Sequence, residues 1–348
     1  MLLELYDFGI ETRELHGLLG AFLGLVFGIS AQISRFCLRR AVAGPREERA
    51  SAGAVWLTGL ATAILAFTVA TRFGWVDLAG HRFLSAELPI AALVIGGLVF
   101  GGGMVLTRGC VSRLTILSAT GNMRAILVLL TFAVVAHATL KGILAPVRTW
   151  IGSFTFEAPV GAISEFTLGL PLLALAVAAF ALRLFQQSRP RARDLAFGAL
   201  VGLVAVAGWA GTSVLFFDDF DPLPVQTVAF TLPWSDTLFW TIASTAIPAS
   251  FGVGFIAGVL GGSFTSAAAR GELELQSFES PRQTLRYIGG GAMMGLGGVL
   301  AGGCTIGAGL SGVAAGSIAA FVALVSIVVG GWLASEASDI RRASPAAA

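Results

Sequence analysis

Only three side chains in this chain have the chemistry of a soft nucleophile or S–H donor: Cys37, Cys110 and Cys304, its sole cysteines. They form no CxxC pair and no Cys/His cluster, so neither a closed disulfide framework nor a zinc site is expected. An unperturbed thiol has a pKa of about 8.5 and is therefore mainly a neutral S–H donor near pH 7. Such a donor holds an anion loosely, whereas a thiolate would repel it and a buried arginine would retain it. A conducting path needs sites that bind well enough to enter and weakly enough to leave.

Other catalytic machinery is absent from the pattern. Lys141 is the only lysine, and no G-x4-GK[ST] surrounds it, so the chain is not a P-loop ATPase. No Asp or Glu falls in the middle of a hydrophobic segment, which leaves no visible carboxylate proton relay. His137, in "VVAHATL", is the one histidine within a span and reads as a hydrogen bonder between helices. No cofactor, metal or nucleic-acid site is expected, and the net charge is only +2.

The thiols sit in a repeated frame. "GLVFGGGMVLTRGC" and "GAMMGLGGVLAGGC" both read G-x3-G-x-G-x2-L-x2-G-C, with glycines at 97, 101, 103 and 109 and at 291, 295, 297 and 303. Cys37 ends a weaker relative, "GLVFGISAQISRFC", which keeps Gly24 and Gly28. A fourth copy, "GFIAGVLGGSFTSA", keeps Gly254 and Gly258 but has Ala267 in the cysteine's place. A single GxxxG packs membrane helices closely. The matched pair ending in Gly-Cys instead points to a transporter's central site built on glycine-broken helices. Where the helix breaks, free backbone N–H groups also attract anions. The candidate substrate-binding residues are therefore Cys37, Cys110, Cys304, Gly109, Gly303 and Arg108. Arg108 faces Gly302 in the other copy and is this copy's own addition, a candidate anion guide. Arg35, Arg39 and Arg113 also flank two of the cysteines.

The elements that must position these residues are membrane helices. The chain is 56% hydrophobic and only 12% charged, about half the charged fraction of a soluble domain. Nine apolar segments lie near 16–34, 51–72, 87–107, 123–144, 166–186, 195–216, 237–262, 286–303 and 314–335, each approaching or exceeding the length of a bilayer crossing. The expected fold is an all-α polytopic membrane protein of about nine transmembrane helices plus short re-entrant helices or loops. It forms a single transport domain over 1–348, with two related halves near 1–190 and 191–348 meeting at the polar "QQSRPRARD". Arginines at 35–49, 183–193, 270–286 and 341–342 mark one side, and "FFDDFD" with the 145–165 loop marks the other. By the positive-inside rule the N-terminus is periplasmic and the C-terminus cytoplasmic.

"SRFCLRRA", "GGGMVLTRGC" and "GGCTIGAGLSG" resemble the YeeE/YedE sulphur-transport family across essentially the whole chain. The resemblance implies an hourglass-shaped pore in the bacterial inner membrane that takes up thiosulfate past three thiols, here Cys37, Cys110 and Cys304. It also implies a TusA-like sulphur carrier, which must be a separate protein because no soluble carrier domain is present. The residues alone leave three alternatives open. One is a transporter of another sulphur or selenium species; another is a thiol-redox or sulphurtransferase protein with a persulfide intermediate; the third is a structural membrane subunit whose cysteines only pack.

Overall fold

A computed structural model describes residues 12–78, 80–165, 168–217 and 222–343. The "FFDDFD" acids at 218–221 used for orientation lie outside the described residues. Among the described residues, thirteen α-helices follow in order: α1 Thr12–Ser34, α2 Leu38–Ala43, α3 Arg46–Arg72, α4 Ile90–Leu106, α5 Val111–Ala119, α6 Met123–Lys141, α7 Ala145–Gly152, α8 Gly169–Ser188, α9 Ala192–Ala210, α10 Thr231–Ala243, α11 Phe251–Ala269, α12 Pro281–Leu300 and α13 Ile318–Ala343. The strands are two-residue pieces, Glu87–Leu88 and Phe156–Glu157, paired antiparallel. The fold is all-α and polytopic, as composition and hydropathy predict.

Eight helical stretches among the described residues are long and apolar enough to cross a membrane. They match eight of the nine expected segments. The segment expected at 286–303 begins earlier, at Pro281, where Ser280 Oγ accepts the Gln283 N–H at 3.3 Å and caps α12. Arg282, Gln283 and Arg286 in its first turns, with six glycines beyond them, lower its mean hydropathy, so this 20-residue helix is not among the eight. The segment expected as continuous over 237–262 is broken into α10 and α11. Pro248 cannot continue a helical ladder, and Ser250 Oγ restarts it by accepting the Val253 N–H at 3.4 Å. The 145–165 stretch, expected as a loop, contains α7, and its end is tied to the second half by the Ile163 N–H donating to Gly316 O at 2.7 Å.

Glycines set the packing. α1 lies along α11, and α4 lies between α12 and α13. A Cβ on Gly103 would fall 2.6 Å from the Gly290 carbonyl oxygen, and one on Gly297 would fall 2.5 Å from the Phe100 nitrogen. The α4–α12 backbones therefore meet with no side chain between them, the close approach that small residues permit in membranes. The non-helical chain at 222–230 enters this bundle from the surface, burying Thr227, Val228 and Phe230. Non-helical backbone at such depth must be satisfied by protein groups. Thr212 Oγ1 donates to Gln226 O at 2.6 Å and accepts from Gln226 N–H at 3.0 Å, and Ser311 Oγ donates to Val228 O at 2.9 Å.

Candidate functional site

Each cysteine stands at the start of a new helical segment, immediately after a sharp corner. Cys37 precedes α2, Cys110 precedes α5, and Cys304 precedes a buried π-helical turn, Gly307–Gly312. Two residues before each thiol the backbone is left-handed: φ is +51° at Arg35, +58° at Arg108 and +69° at Gly302. This conformation ends a helix by letting the next N–H reach back past one turn. Phe36 N–H accordingly donates to Ala31 O at 3.2 Å, and Gly109 N–H to Met104 O at 3.1 Å. The corner is thus a feature of all three cysteine motifs, and Arg108 and Gly302 occupy the same place in it. The fourth copy has no corner at that position: α11 runs through Ala267 to Ala269.

The corners bury all three thiols, which are free. Cys37 Sγ and Cys110 Sγ are 3.6 Å apart, and Cys110 Sγ is 3.1 Å from Ser112 Oγ. Residues 73 apart in sequence are thereby brought into one S–H-bonded pair. Cys304 has a different environment. Its Sγ accepts the Gly307 N–H at 3.5 Å, and its carbonyl takes the N–H groups of Ala308 at 3.0 Å and Gly309 at 3.2 Å. Gly303 is required by this turn, because a Cβ there would lie 2.7 Å from the Ala308 nitrogen. Gly109 is less constrained, since its Cβ would meet only the Leu114 side chain, at 3.2 Å.

Two cavities flank the thiols. One, of about 590 Å³, is lined by Arg35, Arg40 and Arg113 together with Glu48, Glu272 and Glu274. Arg40 is paired with Glu48 at 2.8 Å, while Gln32 links Arg113, at 3.3 Å, to Glu272, at 3.0 Å. The second, of about 510 Å³, is lined by His81, Arg82, Trp209, Thr231, Asp236 and the glycines 298, 302, 303 and 307. The cavities lie at opposite ends of the same helices. Glu48, in the first turn of α3, lines the first, and Leu78, Gly80, His81, Arg82 and Phe83, beyond its other end, line the second. For α6, Asn122 and Leu140 do the same. Helix α12 starts after the 271–276 strap of the first cavity and ends at Gly298–Val299 of the second, so it runs the same course despite its arginines. Cys37 and Cys110 adjoin Arg35 and the Arg113 turn of the first cavity; Cys304 adjoins Gly303 of the second. No cysteine is among the lining residues of either cavity.

Arg108 is exposed and lines neither cavity. His137 Nδ1 lies 3.0 Å from Ser235 Oγ, the interhelical hydrogen bond expected of it. Ser112, Arg82, Trp209 and Thr231 were not singled out by sequence reasoning. Only Ser112 carried a local signal, two residues after a cysteine; the others reach the site through long-range packing.

Fold and site together define a polytopic α-helical membrane protein whose buried thiols are flanked by a cavity at each end. The chain belongs to the Sulphur transport family, whose family model matches residues 33–333. It is 27% identical over 332 residues to the thiosulfate transporter TsuA of Spirochaeta thermophila, covering 90% of this chain and 96% of that protein. It is 25% identical over 345 residues to the thiosulfate transporter TsuA of Escherichia coli K12, covering 91% and 93% respectively. Both relatives are transporters, and this chain is a transport protein rather than an enzyme.

Proposed function

We propose that this chain is an inner-membrane permease for thiosulfate uptake, with Cys304, Cys110 and Cys37 lining a central constriction. The observation that carries this reading is the placement of three buried thiols at left-handed corners between cavities at opposite ends of the same helices. The arginine-rich loop after α1 assigns the Arg35–Arg113 cavity to the cytoplasm and the Trp209 cavity to the periplasm. The N-terminus is then periplasmic and the C-terminus cytoplasmic. Substrate meets Cys304 first and the Cys37–Cys110 pair second. A separate TusA-like carrier receives sulphur on the cytoplasmic side. The shared Gly-Cys frame and its shared corners support two related halves, near 1–190 and 191–348.

Thiosulfate suits this path because its terminal sulphur is a large, polarisable acceptor for S–H donors. The 3.6 Å contact between Cys37 and Cys110 must part for it to pass, so that pair acts as the inner gate. Gly109 and Gly303 hold the thiol-bearing turns. Arg108 enters as a corner residue whose charge also draws anions towards the pair. Uptake of labelled thiosulfate into proteoliposomes tests the assignment, with intact-mass measurement of the exposed protein. Saturable uptake with unmodified cysteines is expected. Absence of uptake overturns the function, and a stoichiometric persulfide overturns simple permeation.

A further inference from the structure

An arginine beside a conducting path retains an anion unless something opposes its charge. Arg113 stands in such a place. It lies in the first turn of α5, three residues after Cys110 and therefore beside it on the helix surface. Both Cys37 and Cys110 are within its electrostatic reach. Unlike the thiols, Arg113 is half-buried and lines the cavity of about 590 Å³, so an anion leaving the Cys37–Cys110 contact meets it.

The arginines of this cavity are engaged differently. Arg40 donates from Nε and Nη2 to Glu48 at 3.2 and 2.8 Å, and from Nη1 to Arg35 O at 3.2 Å. Its charge is matched directly by a carboxylate. Among the described residues, Arg113 makes one side-chain hydrogen bond, from Nη1 to Gln32 Oε1 at 3.3 Å. A guanidinium has further N–H donors in the same plane, and the partner here is a neutral amide that an anion need not displace.

The opposing charge stands one amide further on. Gln32 is buried, and its Nε2 donates to Glu272 Oε2 at 3.0 Å. The partners fix the amide's orientation, because turning it over would set N–H against guanidinium and oxygen against carboxylate. Glu272 does not depend on Arg113 for its place. Its Oε1 accepts from Arg270 at 2.6 Å, and its strap is tied to the α5–α6 turn by three backbone bonds. These run from Glu274 N–H to Thr120 O at 3.1 Å, from Gln276 N–H to Gly121 O at 3.1 Å, and from Met123 N–H to Gln276 O at 3.0 Å. Of the cavity's other acids, Glu48 holds Arg40, and Glu274 accepts from Gln276 at 3.2 Å.

We propose that Arg113 takes the anion as it leaves the Cys37–Cys110 gate, and that Glu272, acting through Gln32, repels it onward into the cytoplasm. The inference rests on the thiosulfate reading above and adds the release step to it. A direct Arg113–Glu272 pair would close the site, and an Arg113 with no acid nearby would trap the anion. The intervening amide gives the cation an intermediate hold, as passage requires.

The test is labelled-thiosulfate uptake into proteoliposomes by wild type, R113Q, R113K and E272Q, with kcat and KM measured separately. R113Q should lower kcat by about tenfold or more with KM near wild type, because it removes a charge-assisted contact made only after the gate. R113K, which keeps the charge, should recover most of that rate. E272Q should lower kcat and KM together, by about two- to fivefold, the worth of a half-exposed charge pair, because release becomes slow. A merely structural role for the strap would not lower KM. E272Q is near-isosteric and decides the matter if R113Q is poorly folded. Wild-type kcat in R113Q, R113K as slow as R113Q, or an unchanged or raised KM in E272Q overturns the release site. Absence of wild-type uptake overturns the thiosulfate reading itself.

Discussion

The three left-handed corners make opposite demands on Arg108 and Gly302, and this can be measured. A side chain held in the left-handed region costs about 1–2 kcal/mol. Exchanging glycine for a larger residue recovers about 0.4–1 kcal/mol through the unfolded chain. The Cβ of Gly302→Ala would meet nothing within 4 Å, so no clash confuses the comparison. Gly302→Ala should therefore lose about 0.5–1 kcal/mol. Arg108→Gly, relieved of φ +58°, should gain a similar amount. The sites belong to different corners, so the double variant should lie near wild type. Equilibrium unfolding in mixed detergent–SDS micelles reads these differences directly. Shifts of the same sign, or a Gly302→Ala loss above about 3 kcal/mol, would refute the shared-corner argument, because that size belongs to packing damage. A raised thiosulfate KM in the stabilised Arg108→Gly variant would be the separate signature of its charge.

Two further outcomes follow from the same geometry. Gly303→Ala should impair uptake at least tenfold more than Gly109→Ala, because the first presses on the Ala308 backbone and the second on a Leu114 side chain that can turn aside; equal effects in proteoliposomes would contradict this difference. Copper-phenanthroline oxidation should join Cys37 to Cys110 and arrest uptake, and dithiothreitol should restore it. Peptide mapping that finds Cys304 in the bridge instead would contradict the pairing.

The parts of this architecture legible in the sequence were those encoded by local spacing. The G-x3-G-x-G-x2-L-x2-G-C frame marked both the close helix crossings and the breaks before Cys110 and Cys304. Its equivalence of Arg108 with Gly302 looked like a mismatch, because residue type hides a shared backbone conformation. Hydropathy merged α10 with α11 because a window average passes over Pro248 and the Ser250 cap. The contact of Cys37 with Cys110, and the gathering of Arg82, Trp209 and Thr231 around one cavity, depend on helices that only tertiary packing brings together. No local pattern announces them.

The central claim is that thiosulfate crosses by way of three thiols, and single Cys→Ala variants test it most directly. Initial rates of labelled thiosulfate uptake should fall at least tenfold in Cys37→Ala, Cys110→Ala and Cys304→Ala at equal folded protein, each variant losing one S–H donor. Wild-type rates in Cys110→Ala and Cys304→Ala would contradict the thiol pathway.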